Sequence, residues 1–322
     1  MKTALYKAIL LILSVPLCSQ GQETLYGPGF QTVTGINPAF SGSEGDGKLR
    51  LSYFNFYPGK NYNLHSVYLS FDSYFEELHG GTGFYLANDY LGGIINDIRG
   101  GFSYAYFLQA GENLFINAGL SASVFHRGFN FSGAVLPDQI DLLGNISPVS
   151  SESLADRGKT AFDVGAGFLV ITGRFFAGFS VNHLAQPEIN SDGSGRDKLK
   201  RKFSTHFAAD FNPDKRNIFI IRPVLVAELQ ADFLTAGAGV AVQNRNISVS
   251  VVAIKSSSGR FDAKTGFMVN SGRLSLLYNY CFNLHSDNSL LPISLFHQAG
   301  IEISLFNVEK SNRIRTIILP GL

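Results

Sequence analysis

The chain carries seven histidines, at positions 65, 79, 126, 183, 206, 285 and 297, and two of them follow serines closely. Ser180 with His183, and Ser204 with His206, are the residue types a hydrolase uses when an imidazole takes a hydroxyl proton and the oxygen attacks an acyl ester. The spacing carries that chemistry no further. Neither serine sits in a Gly-x-Ser-x-Gly elbow, and triads are recognised by geometry in space, not adjacency in sequence. Any serine-rich strand supplies such pairs, so no catalytic residue is assigned, and His206 is expected to be a hydrogen-bonding residue facing an interior.

Metal chemistry is equally thin, because no paired histidines at useful spacing combine with a cysteine or carboxylate cluster. Cys18 falls in a leader-like segment and Cys281 stands alone beyond it, so neither an internal disulfide nor a multi-thiolate site is expected. No metal and no cofactor is assigned. Twenty-six basic and 25 acidic residues leave a net charge of +1, which supplies no field for nucleic acid and no acidic excess to keep a chain unfolded.

What must position the remaining polar groups is a set of alternating strands. From Asn113 to Arg127, Leu114, Ile116, Ala118, Leu120, Ala122 and Val124 share one side and Phe115, Asn117, Gly119, Ser121, Ser123 and Phe125 the other, a period of two. Phe203 to Phe211 and Leu234 to Val242 repeat it, and Ile301, Ile303 and Leu305 oppose Gly300, Glu302 and Ser304. A soluble sandwich would account for each strand singly. These runs, however, are near the ~10 residues a tilted strand needs to cross a bilayer, against ~5 to 6 in a sandwich. Only 16% of residues are charged, below the roughly 25% of soluble domains. The reading is an all-β fold, a transmembrane antiparallel β-barrel of about fourteen strands, since only closure satisfies every backbone group in lipid.

The strands are expected between Lys48 and Asn307, with short links such as Ala110 to Glu112, Thr172-Gly173, Asn244 and Ser271-Gly272. Long links, Gly128 to Lys159 and Ala185 to Lys200, fall at the alternate connections, so the barrel should begin and end in the periplasm. The link near Leu229 is the exception, expected outside yet almost absent. Ahead of the barrel, Lys2 and Lys7 precede an apolar run, and Ser19-Gln20-Gly21 suits a signal peptidase. Leu17 before Cys18 disfavours a lipoprotein site. The division is residues 1–21 signal peptide, 22–47 periplasmic segment, 48–307 outer-membrane barrel and 308–322 periplasmic tail. Outer-membrane lipid is the first partner implied; nucleic acid is not one.

Inside such a barrel charges must be paired. Asp163, His206, Asp210, Arg222, Asp232, Asp262, Lys264 and Glu302 are read as a polar network of the lumen, together with Asp89, Asp97 and Lys202; the alternative is a conduction path. Gly165 and Gly167, like Gly237 and Gly239, suit inward positions with little room.

Two further runs have no role in that reading: Ile36-Asn37-Pro38-Ala39-Phe40-Ser41-Gly42-Ser43, and Asn182-His183-Leu184-Ala185-Gln186-Pro187. The first resembles the Asn-Pro-Ala-Tyr-Ala-Gly element of the PorP/SprF outer-membrane proteins of Bacteroidetes type IX secretion. Asn88-Asp89 with Gly92, Tyr104-Ala105-Tyr106 and Tyr278-Asn279-Tyr280 are similar to later family motifs. There are departures: Tyr53-Phe54-Asn55-Phe56-Tyr57-Pro58 stands where the family has Tyr-Arg-x-Gln-Trp-Pro, and His297-Gln298 replaces a His-Glu pair. The resemblance implies a non-enzymatic barrel working with secretion or gliding proteins, or holding secreted surface adhesins. Asn37, Pro38, Ala39, Phe40 and Gly42 are candidate partner-binding residues on this basis; a plug or rim segment is the other reading. A transport barrel for small or hydrophobic solutes is the alternative function.

Overall fold

In the computed structural model, residues 29–59, 63–130, 139–140, 146–147, 158–189, 198–213, 219–286, 292–305, 316–317 and 319 are described. The expected signal peptide and most of the 190–202 loop lie outside them.

Fourteen strands form, as the alternation requires: β1 (Lys48–Phe56), β2 (Leu64–Phe75), β3 (Gly80–Leu91), β4 (Ile95–Gln109), β5 (Leu114–Phe129), β6 (Lys159–Thr172), β7 (Phe175–Asn182), β8 (Lys202–Ala209), β9 (Ile220–Gln230), β10 (Phe233–Gln243), β11 (Ile247–Ser256), β12 (Phe261–Ser271), β13 (Leu274–His285) and β14 (Ser294–Ser304). Each pairs with its chain neighbours, and β1 pairs with β14, closing the barrel. All pairings are antiparallel, including the closing one, Lys48 opposite Ser304 to Phe56 opposite Phe296.

At the end where β1 begins and β14 finishes, links 173–174, 244–246 and 272–273 are tight. Gly173 and Gly272 take φ of 54° and 62°, the left-handed region that short hairpins need and glycine enters without steric cost. The far end carries the long links 130–158 and 183–201. The exception expected near Leu229 is a turn at Ala231-Asp232: β9 continues to Gln230, and Ala231 takes φ 52°. Strand β8 is shorter than its pattern: it ends at Ala209, and beyond it Asp210 N–H donates to the Arg174 carbonyl and Phe211 bridges to Ile221.

Outward positions are apolar and bare. Phe162 is 77% exposed, Leu120 68% and Phe102 55%, a belt that lipid covers and water would not tolerate on so wide a surface. Inward positions hold serines, glycines, paired charges and one apolar cluster running from Phe30 and Phe40 to Val252 and Phe296. The segment 29–47, expected in the periplasm, lies inside the barrel with its residues largely buried.

Candidate functional site

The Asn-Pro-Ala-Phe run builds its own turn. One helical turn, α1 (Val33–Ile36), ends at Asn37, whose N–H donates to the Val33 carbonyl at 2.7 Å. Asn37 is extended, as a residue before proline prefers, and its Oδ1 accepts from the Ala39 N–H at 3.0 Å. Pro38 then opens a 3-10 turn, Pro38–Phe40, at a position whose missing N–H costs nothing. An asparagine cap and a proline start are therefore enough to specify this shape locally.

The turn sits on a floor of glycines. A Cβ at Gly119 of β5 would collide with the backbone of Pro38 and Ala39, and one at Gly167 of β6 with the Asn37 side chain; the two glycines face each other across the β5–β6 pair. Only residues without side chains let the plug lie this close to the wall. Polar groups then fix its position. Asn37 Nδ2 reaches the Phe168 and Phe179 carbonyls at 3.4 Å each. Asn117 Nδ2 donates to the Ala39 carbonyl at 3.4 Å, Ser41 and Ser103 hydroxyls meet at 2.6 Å, and Gly42 N–H donates to Asp72 at 2.9 Å. Phe30, Phe40 and Phe176 meet edge to face, the geometry aromatic quadrupoles favour.

The second run meets the first here. Asn182 Nδ2 donates to the Ile36 carbonyl at 2.5 Å and Ser180 Oγ at 2.9 Å, so a carbonyl left open at the end of α1 is closed by β7. Beyond Asn182 the chain turns, with His183 and Gln186 at φ 59° and 48° and Gln186 N–H donating to the His183 carbonyl. His183 is held there by Asp163, which accepts from its backbone N–H at 3.1 Å and contacts its Nδ1 at 2.7 Å. Above the plug a cavity of about 50 Å³ is lined by Tyr68, Tyr85, Arg99, Asp163, Asn182 and Lys202 among others. Phe125 and Leu199 also line it and pack with Ile189.

The opposite end of the plug is locked by charge. Arg50 of β1 contacts Glu44, Asp72 at 2.5 Å and Glu302 at 3.2 Å, and Lys48 reaches Glu302 at 2.9 Å. Burial pushes the Glu44 carboxyl above the ordinary carboxylate range, against the pull of Arg50.

Residues 22–290 match the family described as type IX secretion system membrane protein PorP/SprF. The chain belongs to the PorP/SprF family. No curated protein matches it. Among solved structures, the PorP/SprF barrel is similar to the TodX deltaS2S3 mutant monoaromatic hydrocarbon channel (TM-score 0.50, 11% identity, 85% of this chain and 97% of that one). It is also similar to the Pseudomonas putida toluene transporter TodX (0.49, 11%, 84% and 91%) and to the CymD monoaromatic hydrocarbon channel (0.48, 13%, 90% and 95%). At these identities the likeness is one of fold. The protein is an integral outer-membrane β-barrel.

In this PorP/SprF barrel, Asn37, Pro38, Ala39, Phe40 and Gly42 are buried in the lumen, so they are placed as a plug and not displayed at a rim. Among the described residues, the polar groups meet partners at several places around the wall. Asp163 pairs with His183 and Arg222 with Asp210, Asp262 with Arg260 at 2.7 Å, and Glu302 with Arg50. Lys264 lies over the Phe296 ring at 5.9 Å. His206 packs against Phe30 and Phe40 at 5.3 and 5.6 Å between centroids, a neighbour of the plug. Asp232 sits exposed on the β9–β10 turn, outside the lumen. Ser180 hydrogen-bonds the plug and His183 faces Asp163. Among the described residues no three His, Cys, Asp or Glu side chains gather as a metal site.

Arg50, Asp72, Glu44 and Asn182 escaped the sequence reading as site residues. A signal for Arg50 exists, since it shares the inward side of β1 with Ser52 and Phe54 at period two.

Proposed function

We propose that this PorP/SprF protein is a non-enzymatic anchor or accessory component of type IX secretion, with its termini and tight turns in the periplasm. Its partners are secretion or gliding proteins, or secreted surface adhesins held at the outer membrane. The observation supporting this is the plug: a lumen filled by its own N-terminal segment, seated on glycines and tied to β5, β6 and β7, is suited to holding partners at the barrel's ends. Contacts then belong to the long-link end, 183–201, and to the mouth around Glu44 and Arg50. A strain lacking the protein, compared with its parent for surface and secreted proteins, tests the reading. Loss of a set of secreted proteins at the surface is expected, and an unchanged profile overturns it.

The cavity between plug and outer loop favours a second reading, transport of small or hydrophobic solutes. Planar-bilayer recording separates the two: a silent barrel accords with the anchor, and reproducible open channels with transport.

A further inference from the structure

The polypeptide enters and leaves the barrel through the same mouth, and the two segments touch. Leaving β14, Leu305 N–H donates to the Gly47 carbonyl at 2.8 Å. Further along, Ile317 N–H donates to the Ser43 carbonyl at 3.0 Å, and Leu319 N–H donates to Glu44 Oε1 at 3.0 Å. Thr316 packs so closely on Gly45 that a Cβ there would lie 2.8 Å from its Cγ2. Ile317 and Leu319 are only 8% and 9% exposed and belong to the same apolar cluster as Phe30 and Phe40 of the plug. Ile317 and Leu319 thus both bury their side chains where the plug segment leaves the lumen.

We propose that Thr316, Ile317 and Leu319 of the C-terminal tail form a latch on the plug, and that they must leave their seat before residues 29–47 can move out of the lumen. The seat is an interaction surface for a segment with branched apolar residues two apart, and its occupants are this chain's own Ile317 and Leu319. The backbone donor of Leu319 satisfies a carboxylate that Arg50 also holds. The latch is thereby tied to the charge cluster that joins plug to barrel. A protein that captures the tail thereby frees the plug, whether or not the secretion role proposed above is correct.

Hydrogen exchange on the full-length protein, folded in detergent micelles, tests the proposal. Two variants are compared with it: one ending at Asn307, and the full-length Ile317→Ser, Leu319→Ser. In both, amides of plug residues 33–45 should exchange at least about tenfold faster, the factor a single lost buried hydrogen bond produces. Amides of β5 and β6 should keep their protection. A synthetic peptide of residues 308–322, added to the truncated protein, should restore the plug. Unchanged plug exchange in both variants overturns the latch. So does acceleration of β5 and β6 together with the plug, which makes the tail part of the barrel's general stability, and so does failure of the peptide to restore protection.

Discussion

Asn182 donates its side-chain amide to the Ile36 carbonyl at 2.5 Å, joining the two motifs that stand far apart in sequence. Replacing it by alanine leaves Ser180 as the one remaining side-chain donor to that buried oxygen among the described residues. The double variant Ser180→Ala, Asn182→Ala removes both. A buried acceptor left without a partner costs about 1–3 kcal/mol. Exchange of the plug amides in the double variant should therefore rise by roughly 5- to 150-fold, while strand amides in β10 and β11, remote from the contact, stay as they are.

The glycine floor makes a sharper demand. Gly119→Val suits a strand, since β-branched side chains pack well on a pleated surface, yet its side chain would occupy the place of Pro38 and Ala39. The barrel should fold with its gel mobility still heat-modifiable, and the plug should lose its seat. With Cys281→Ser as background, Ala39→Cys, buried in the parent, should resist a water-soluble maleimide. Adding Gly119→Val should make it react fully.

The barrel itself was legible because lipid imposes one apolar side on every strand, and Leu114 to Val124 display that pattern without interruption. The plug was less so. Asn37-Pro38 announces a capped turn, but a turn at a rim and a turn in a lumen have the same local sequence. What separates them is Gly119, Gly167 and Gly178, whose bareness makes sense only once Pro38, Asn37 and Phe40 are seen against them. Pairing of charges was hidden for a similar reason. Period two assigns a side chain to the interior but does not say which opposite charge will lie across it, and Asp232, at a strand end, falls outside the rule altogether.

Arg50 faces Glu44, Asp72 and Glu302 in a place where its side chain is 3% exposed. Removing it leaves buried carboxylates without their cation, and breaking a buried pair costs about 3–5 kcal/mol. Arg50→Ala should lower the urea midpoint of the purified barrel accordingly. Adding Asp72→Asn and Glu302→Gln should recover a substantial part of the loss, because the repulsion is then removed along with the attraction. An Arg50→Ala variant with the parent's midpoint would contradict the role assigned to this cluster.

His183 separates a structural task from a chemical one. Its φ of 59° is costly for most residues and tolerated by asparagine, and its ring and N–H both face Asp163. His183→Asn keeps the backbone tolerance and an amide donor, whereas His183→Ala keeps neither. Heat stability should therefore fall in the order parent, His183→Asn, His183→Ala, the last by about 1–3 kcal/mol. A hydrolytic role would predict instead that both substitutions abolish an esterase activity of the purified barrel, a readout insensitive to the order of stabilities.

Leu120 tests the membrane assignment itself. It lies midway along β5, is 68% exposed, and is followed by Ser121 on the inward side. In a bilayer, Leu120→Arg places a cation near the midplane at a cost of about 2–4 kcal/mol; in water the same change would be neutral or helpful. Folding into phospholipid vesicles from urea should show that penalty. Leu114→Arg, at the start of the same strand and on the same outward side, should cost only about 0–1 kcal/mol, since the penalty fades toward the interface. Equal costs at both positions would mean that depth in a hydrocarbon layer is not what the outward side of β5 experiences.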